Sequence, residues 1–298
     1  MYQWFMNKIN LMLLTRKLCF LIFLFILFAA CVTGKKKSGL TSPPEYDLLH
    51  PTVIDLPSGL SEISGISYYP KDTSVFAISD EDGYLYKVFL AHKDKILKWR
   101  YDKKHDFEDV VMHDSLFYSL VSNGDIKTLQ FVSNDSIQVY SAKFPDASKK
   151  HNEFESLYYD DSVKKPVLIC KDCEDDGHKI VSSFTFDPAA GTYSPGPVTI
   201  DAQTVADKLG LKKIKLKPSA ATINPFTNEL YILCSVNKLL VITDRSGKVK
   251  EFYDLPPAIY KQPEGIAFTT WGDLLISNES HETGLANILV IKHKSKAL

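Results

Sequence analysis

The chain is short of several things. Five cysteines and 14 glycines in 298 residues exclude a disulfide-dense scaffold and a collagen-like repeat. Neither sign of charge prevails. With 35 Lys+Arg against 36 Asp+Glu, the field that marks nucleic-acid binders is missing, and no nucleic-acid partner is expected. G-x-S-x-G, H-E-x-x-H, a P-loop and G-x-G-x-x-G are all absent, and the eight histidines follow no triad order. The uncharged apolar run at 18–30 (LCFLIFLFILFAA) rises only about 20 Å as a helix, too little for a bilayer core of roughly 30 Å. What is present, 45% hydrophobic and 12% aromatic residues, suffices for a large core in one domain or two.

That short run sits where an export signal belongs. Lys8, Arg16 and Lys17 precede it, and Ala29-Ala30-Cys31 follows. Phe28-Ala29-Ala30-Cys31 is similar to the bacterial lipobox, although Phe28 stands where the consensus has Leu; this assigns lipidation to Cys31 and a cleaved signal to residues 1–30. The alternative is an uncleaved anchor helix beginning near Leu11, which Arg16 and Lys17 interrupt. Residues 31–45, rich in Lys, Ser, Gly and Pro, read as a flexible tether. The expected location is the bacterial envelope, with membrane contact through the lipid. Cleavage removes three basic groups and no acidic ones, leaving 32 basic and 36 acidic groups, a net charge of −4. Cys170-Lys-Asp-Cys173 ends a β-like run, so a free or locally bridged pair fits better than a redox pair. No second half of a zinc site exists in the sequence.

Residues 46–298 repeat. Five openings, at Glu62, Glu108, Glu155, Ser219 and Glu264, each start an apolar run and are spaced by 46, 47, 64 and 45 residues. A second strand follows each, ending in Ser79, Ser122, Cys170, Ser235 or Ser277, and a third follows a turn such as Asp82-Gly83, Asn123-Gly124 or Asp176-Gly177. A fourth strand closes four of the units. Four strands per unit at this period predict an all-β, five-bladed β-propeller of antiparallel blades. An insert at about 201–217, with a helix from Asp201 to Gly210, accounts for the long spacing. The last unit has three strands, so the segment 52–56 is expected to complete it and close the ring.

Antiparallel order puts the opening residues and the second-to-third-strand loops at one end. Glu62, Glu108, Glu155 and Glu264 should then ring the channel mouth, sharing that face with Asp80, Asp82, Asn123, Asp172, Ser219, Asn278 and Glu279. Crowded carboxylates raise one another's pKa unless a cation compensates, and hard oxygen donors suit Ca²⁺. The expected cofactor is therefore calcium on the four glutamates. The alternative is a polar ring hydrogen-bonded to backbone amides of neighbouring blades. The run Ser79-Asp-Glu-Asp-Gly83 lacks the later Glu and flanking helices of an EF-hand, and reads as a hairpin turn.

Leu60-Ser-Glu-Ile-Ser-Gly-Ile66, Phe76-Ala-Ile-Ser-Asp80, Gln262-Pro-Glu-Gly-Ile-Ala267 and Leu275-Ile-Ser-Asn-Glu279 together resemble the SdiA-regulated bacterial proteins, distant relatives of NHL-repeat propellers. The resemblance covers about residues 46–298. It implies a five-bladed propeller with a calcium site, exported or envelope-located, with no established enzymatic activity. Ser219 departs from the glutamates of the other blades. The reading favoured is a lipid-anchored module presenting one face to an envelope protein, a glycan or a small ligand. The alternative is a calcium-dependent hydrolase, as in similar lactonase and esterase propellers, with Glu62 or Glu264 on the metal and Asp80 as base.

Overall fold

A computed structural model describes residues 42–92, 95–145, 151–280 and 284–294. The signal, Cys31 and most of the tether lie outside them. Strand β1 (Thr52–Asp55) comes first. Blade one is β2 (Ile63–Tyr69), β3 (Ser74–Ser79), β4 (Tyr84–Phe89) and β5 (Ile96–Arg100). Blade two is β6 (Phe107–His113), β7 (Leu116–Val121), β8 (Ile126–Ser133) and β9 (Ser136–Ala142). Blade three is β10 (Asn152–Asp160), β11 (Lys165–Cys173), β13 (Ser183–Asp187) and β14 (Thr192–Pro195), with β12 (Ile180–Val181) and β15 (Ile200–Asp201) paired beside it. Blade four is β16 (Ala220–Ile223), β17 (Leu230–Cys234), β18 (Leu239–Thr243) and β19 (Val249–Asp254). Strands β20 (Pro263–Phe268), β21 (Leu274–Asn278) and β22 (Asn287–Ile291) make the fifth sheet, and Thr52 to Asp55 pair with Val290 to Asn287 along its outer side.

The five sheets are antiparallel throughout, as the repeat predicts. Each blade's first strand packs on the next, β2 on β6, β6 on β10, β10 on β16, β16 on β20 and β20 back on β2, which closes the ring around a channel. Five apolar clusters fill the spaces between neighbouring blades. Phe76, Val110 and Phe117 join the first and second, and Ile63, Ile66 and Leu275 join the fifth to the first. Fully burying each such side chain contributes about 1.5–3 kcal/mol. Inner strands such as β3 are buried along their whole length, whereas the outer β9 alternates with solvent.

Two strand expectations change. The third and fourth strands of blade three, expected as continuous, are each interrupted, and their outlying ends pair with each other as β12 and β15. Gly196-Pro197 forces the second break. Proline has no N–H for a ladder, and a Cβ on Gly196 would lie 2.8 Å from the Ser183 carbonyl carbon. The helix α1 (Ala202–Leu209) forms as expected, with the Asp201 carboxylate accepting from Gln203 N at 2.9 Å and Gly210 in the left-handed region at φ 70°.

Candidate functional site

Strand register defines equivalent positions at the channel mouth. The pairs Ile63–Ser79, Phe107–Val121, Phe154–Cys170 and Pro263–Asn278 occupy the same place in their blades. In blades two, three and five the pairing then skips one residue, and the skipped residues are Glu108, Glu155 and Glu264. Each glutamate therefore sits on a β-bulge, a device that re-aims a side chain beside functional sites. The equivalent residue in blade four is Ser219 and in blade one is Ser64. Glu62 lies two places earlier, and its carbonyl accepts from Asp80 N just as the Asp106 and Gln262 carbonyls accept from Ser122 N and Glu279 N. The sequence thus misplaces Glu62 in the ring by two positions, because register equates Ile63 with Phe107 and Pro263 and so sets Ser64, not Glu62, at the place of Glu108 and Glu264.

The residue after the second-strand member of each such pair supplies the other half of the mouth: Asp80, Ser122, Lys171 (within β11) and Glu279, with Ser235 following β17 in blade four. Lys171 is the residue that sequence reasoning missed. It lies inside the C-x-x-C, whose cysteines form a disulfide with Cα atoms 5.8 Å apart. Its ammonium donates to Glu153 at 2.7 Å and to Glu155. It also lowers the pKa values of Glu108 and Glu264. An internal cation therefore already serves the blade-three side. The register that equates Lys171 with Asp80 and Glu279 was the signal that could have found it.

The opposite side, formed by blades five and one, is electrostatically stressed. Burial pushes the Glu279 carboxyl up to about 8, aided by proton sharing with Glu62 and by the charges of Glu62, Glu264 and Asp80. Gln262 Nε2 donates to the same group at 2.7 Å. Burial and the charges of Glu62, Glu81 and Asp106 push Asp80 up to about 6, against Lys104, and among the described residues its buried Oδ1 has no hydrogen-bond partner. Burial, Asp106, Glu264 and Glu153 raise Glu108 to about 8 despite Lys171. Burial also raises Glu264, although Ser235, Lys171 and Lys238 oppose it. Such shifts gather at functional sites.

The other expected top-face residues are committed to structure. Asp82 accepts from Tyr84 N at 3.3 Å and from the Tyr86 hydroxyl at 2.6 Å. Asn123 accepts from Asp125 N at 3.0 Å in its turn. Asp172 is held low against its own burial by a 2.6 Å hydrogen bond from Lys215 and by Lys217 and His178. The Ser219 hydroxyl donates to Pro263 O at 2.9 Å, tying blade four to blade five. Asn278 is buried and donates to Ile259 O at 3.0 Å and Asn287 Oδ1 at 3.1 Å.

Ready-made metal geometry lies elsewhere. Among the described residues, the three-ligand groupings within 4.8 Å are His151–Glu153–Asp172 and Cys170–Cys173–Asp176. Lysines already engage two carboxylates of the first, and the second contains the disulfide. Glu62 lies close enough to Glu279 for their carboxyls to share a proton, and Asp80 is close enough to raise Glu279. Their hard oxygens and the partnerless Asp80 Oδ1 fit a calcium ion in donor chemistry, with side-chain adjustment needed to converge. No helix among the described residues is long and apolar enough to cross a membrane.

These features define a five-bladed β-propeller with an acidic channel mouth partly neutralised by lysines, Lys171 foremost. The chain belongs to the SdiA-regulated family, whose model matches residues 54–282. It is similar in fold to the glutaminyl cyclase of Myxococcus xanthus, at 13% identity and a TM-score of 0.52, covering 83% of this chain and 97% of that one. It is also similar to the PQQ-bound aldose sugar dehydrogenase of Streptomyces coelicolor (9% identity, TM-score 0.50, 84% and 99% covered). A third similar structure is a calcium-binding protein of Agrobacterium tumefaciens, regucalcin (13% identity, TM-score 0.49, 85% and 95% covered). At these identities the likeness is one of fold alone. No curated protein matches the chain in sequence.

Proposed function

We propose that the protein is an exported, lipid-anchored propeller that works as a calcium-binding interaction module at the bacterial cell envelope. The observation that carries the reading is the stressed half of the mouth, where Glu279 lies close enough to Glu62 to share a proton, beside the partnerless Asp80 Oδ1. Glu62, Asp80 and Glu279 would hold the ion, with Glu264 beside them. Bound calcium would supply the positive charge that Lys171 supplies to Glu153 and Glu155 across the channel. The chain's own part is to exclude water from these carboxyls and to release the Glu279 proton. Calcium should raise the melting temperature, and chelator should reverse it. An unchanged transition at millimolar calcium would sink the metal reading.

The basic–apolar–Ala-Ala-Cys31 pattern supports the anchor. Cys31→Ala should move the protein from the membrane fraction to the soluble one; retention would favour the anchor-helix reading. One observation speaks for the hydrolase alternative. The Asp80 carboxyl, at about 6, is placed to act as a general base near neutral pH. Calcium-dependent turnover of lactone or aryl-ester probes, lost in Asp80→Asn, would favour that alternative over a binding module.

A further inference from the structure

The channel has a second mouth that the acidic site does not use. Around the far ends of the first strands lies a cavity of about 460 Å³, lined by Tyr68, His113, Tyr158, Tyr159, Asn224 and Arg245 among others. That volume falls within the roughly 300–1,000 Å³ of small-molecule sites. His113 and Tyr159, from neighbouring blades, lie face to face with ring centroids 3.5 Å apart and planes 8° apart, which puts flat aromatic surface on the wall. Beside it is an ion pair. The Arg245 guanidinium donates to Asp160 Oδ1 and, at 2.6 Å, to Asn228 Oδ1. The other Asp160 oxygen, Oδ2, has no partner among the described residues, and neither do Arg245 Nε and the Tyr158 hydroxyl, all of them buried. Tyr158, only 2% exposed, lines the cavity.

Arg245 and Tyr158, which both line the cavity, thus leave a donor and a group that donates and accepts without partners there, while Asp160, paired to Arg245, is not part of the lining. A ligand hydroxyl satisfies both kinds because it donates and accepts at once. Charge selects further. Asp160 and Asp161 disfavour a free anion, and the guanidinium disfavours a cation. The aromatic wall suits the apolar C–H face of a ring. We propose that this mouth binds a neutral, hydroxyl-rich ring compound of monosaccharide size.

The full-length protein should show saturable saturation-transfer NMR signals with at least one of glucose, galactose and mannose. Glucuronate and glucosamine should bind more weakly. His113→Ala, which removes half of the stack, and Arg245→Gln, which removes the ion pair, should each weaken binding about tenfold, a change of about 1.4 kcal/mol. The folded state of each variant is checked by its melting transition. Three results would overturn the proposal. One is no saturable signal from any of the three hexoses, which would leave the buried groups to water. The second is tighter binding of either charged analogue. The third is unchanged binding in whichever folded variants are obtained.

Discussion

Glu279 lies beside Glu62 at the channel mouth, close enough for their carboxyl groups to share a proton. Two carboxyls can be joined in this way only while a proton sits between them, and the Glu279 group, pushed up to about 8, keeps that proton at neutral pH. The fifth and first blades therefore meet through a contact that depends on pH and that a cation can replace.

The metal-free protein should lose stability as pH rises from about 5 to about 9. Glu108 and Glu279, each at about 8, stay protonated in the folded state where the unfolded chain has ionised near the ordinary value of 4.5. The folded state then binds more protons, so unfolding free energy falls with pH through this window. Solvent screening at the mouth limits the effect to a few degrees of melting temperature, about what 1 kcal/mol is worth in a domain of this size. Thermal scans with chelator across the window measure it, and a flat or rising profile would contradict the proton-sharing account.

Glu279→Gln keeps the size and the hydrogen-bonding capacity but cannot ionise. It should flatten that pH profile and remove most of the calcium-induced rise in melting temperature. Ser219→Ala, which only unties a hydroxyl from Pro263 O, should leave the calcium response in place. Equal calcium responses in the two variants would place the ion elsewhere.

Lys171→Met leaves Glu153 and Glu155 without their shared cation. Breaking a buried pair by removing one partner costs about 3–5 kcal/mol, and this pair is partly exposed, so a loss near the lower figure is expected by denaturant titration. Calcium should recover more stability in this variant than in the parent, because it can occupy the vacated side. A neutral substitution would mean that the ammonium does not hold the mouth together.

Gly65 meets the buried Asp109, whose carboxylate accepts from Val110 N at 2.8 Å and Leu157 N at 2.7 Å and so links blades two and three. A Cβ on Gly65 would overlap the Asp109 carboxylate and lie 2.5 Å from its Cα. Gly65→Ala should cost about 1–3 kcal/mol by overpacking, whereas Gly59→Ala, with nothing within 4 Å, should not. Chemical denaturation of the two variants compares them directly.

The repeat was legible because each blade spells out its apolar strands and turn residues, and the acid-started, glycine-stopped helix of the insert was equally plain. Register was not legible. A β-bulge shifts pairing by one residue without leaving a residue type that announces it, so Glu62 read as the counterpart of Glu108 when Ser64 holds that place. The same blindness hid Lys171. In the sequence it is a spacer between two cysteines; in the fold it stands at the position of Asp80 and Glu279 and carries the opposite charge.

Titration calorimetry of calcium into the protein at pH 7, repeated in buffers of different ionisation enthalpy, tests the central claim most directly. If Glu62, Asp80 and Glu279 receive the ion, binding must displace the shared proton, and the heats should differ between buffers by an amount corresponding to about one proton released per calcium. Calcium binding with the same heat in every buffer, or no binding at millimolar calcium, would contradict it.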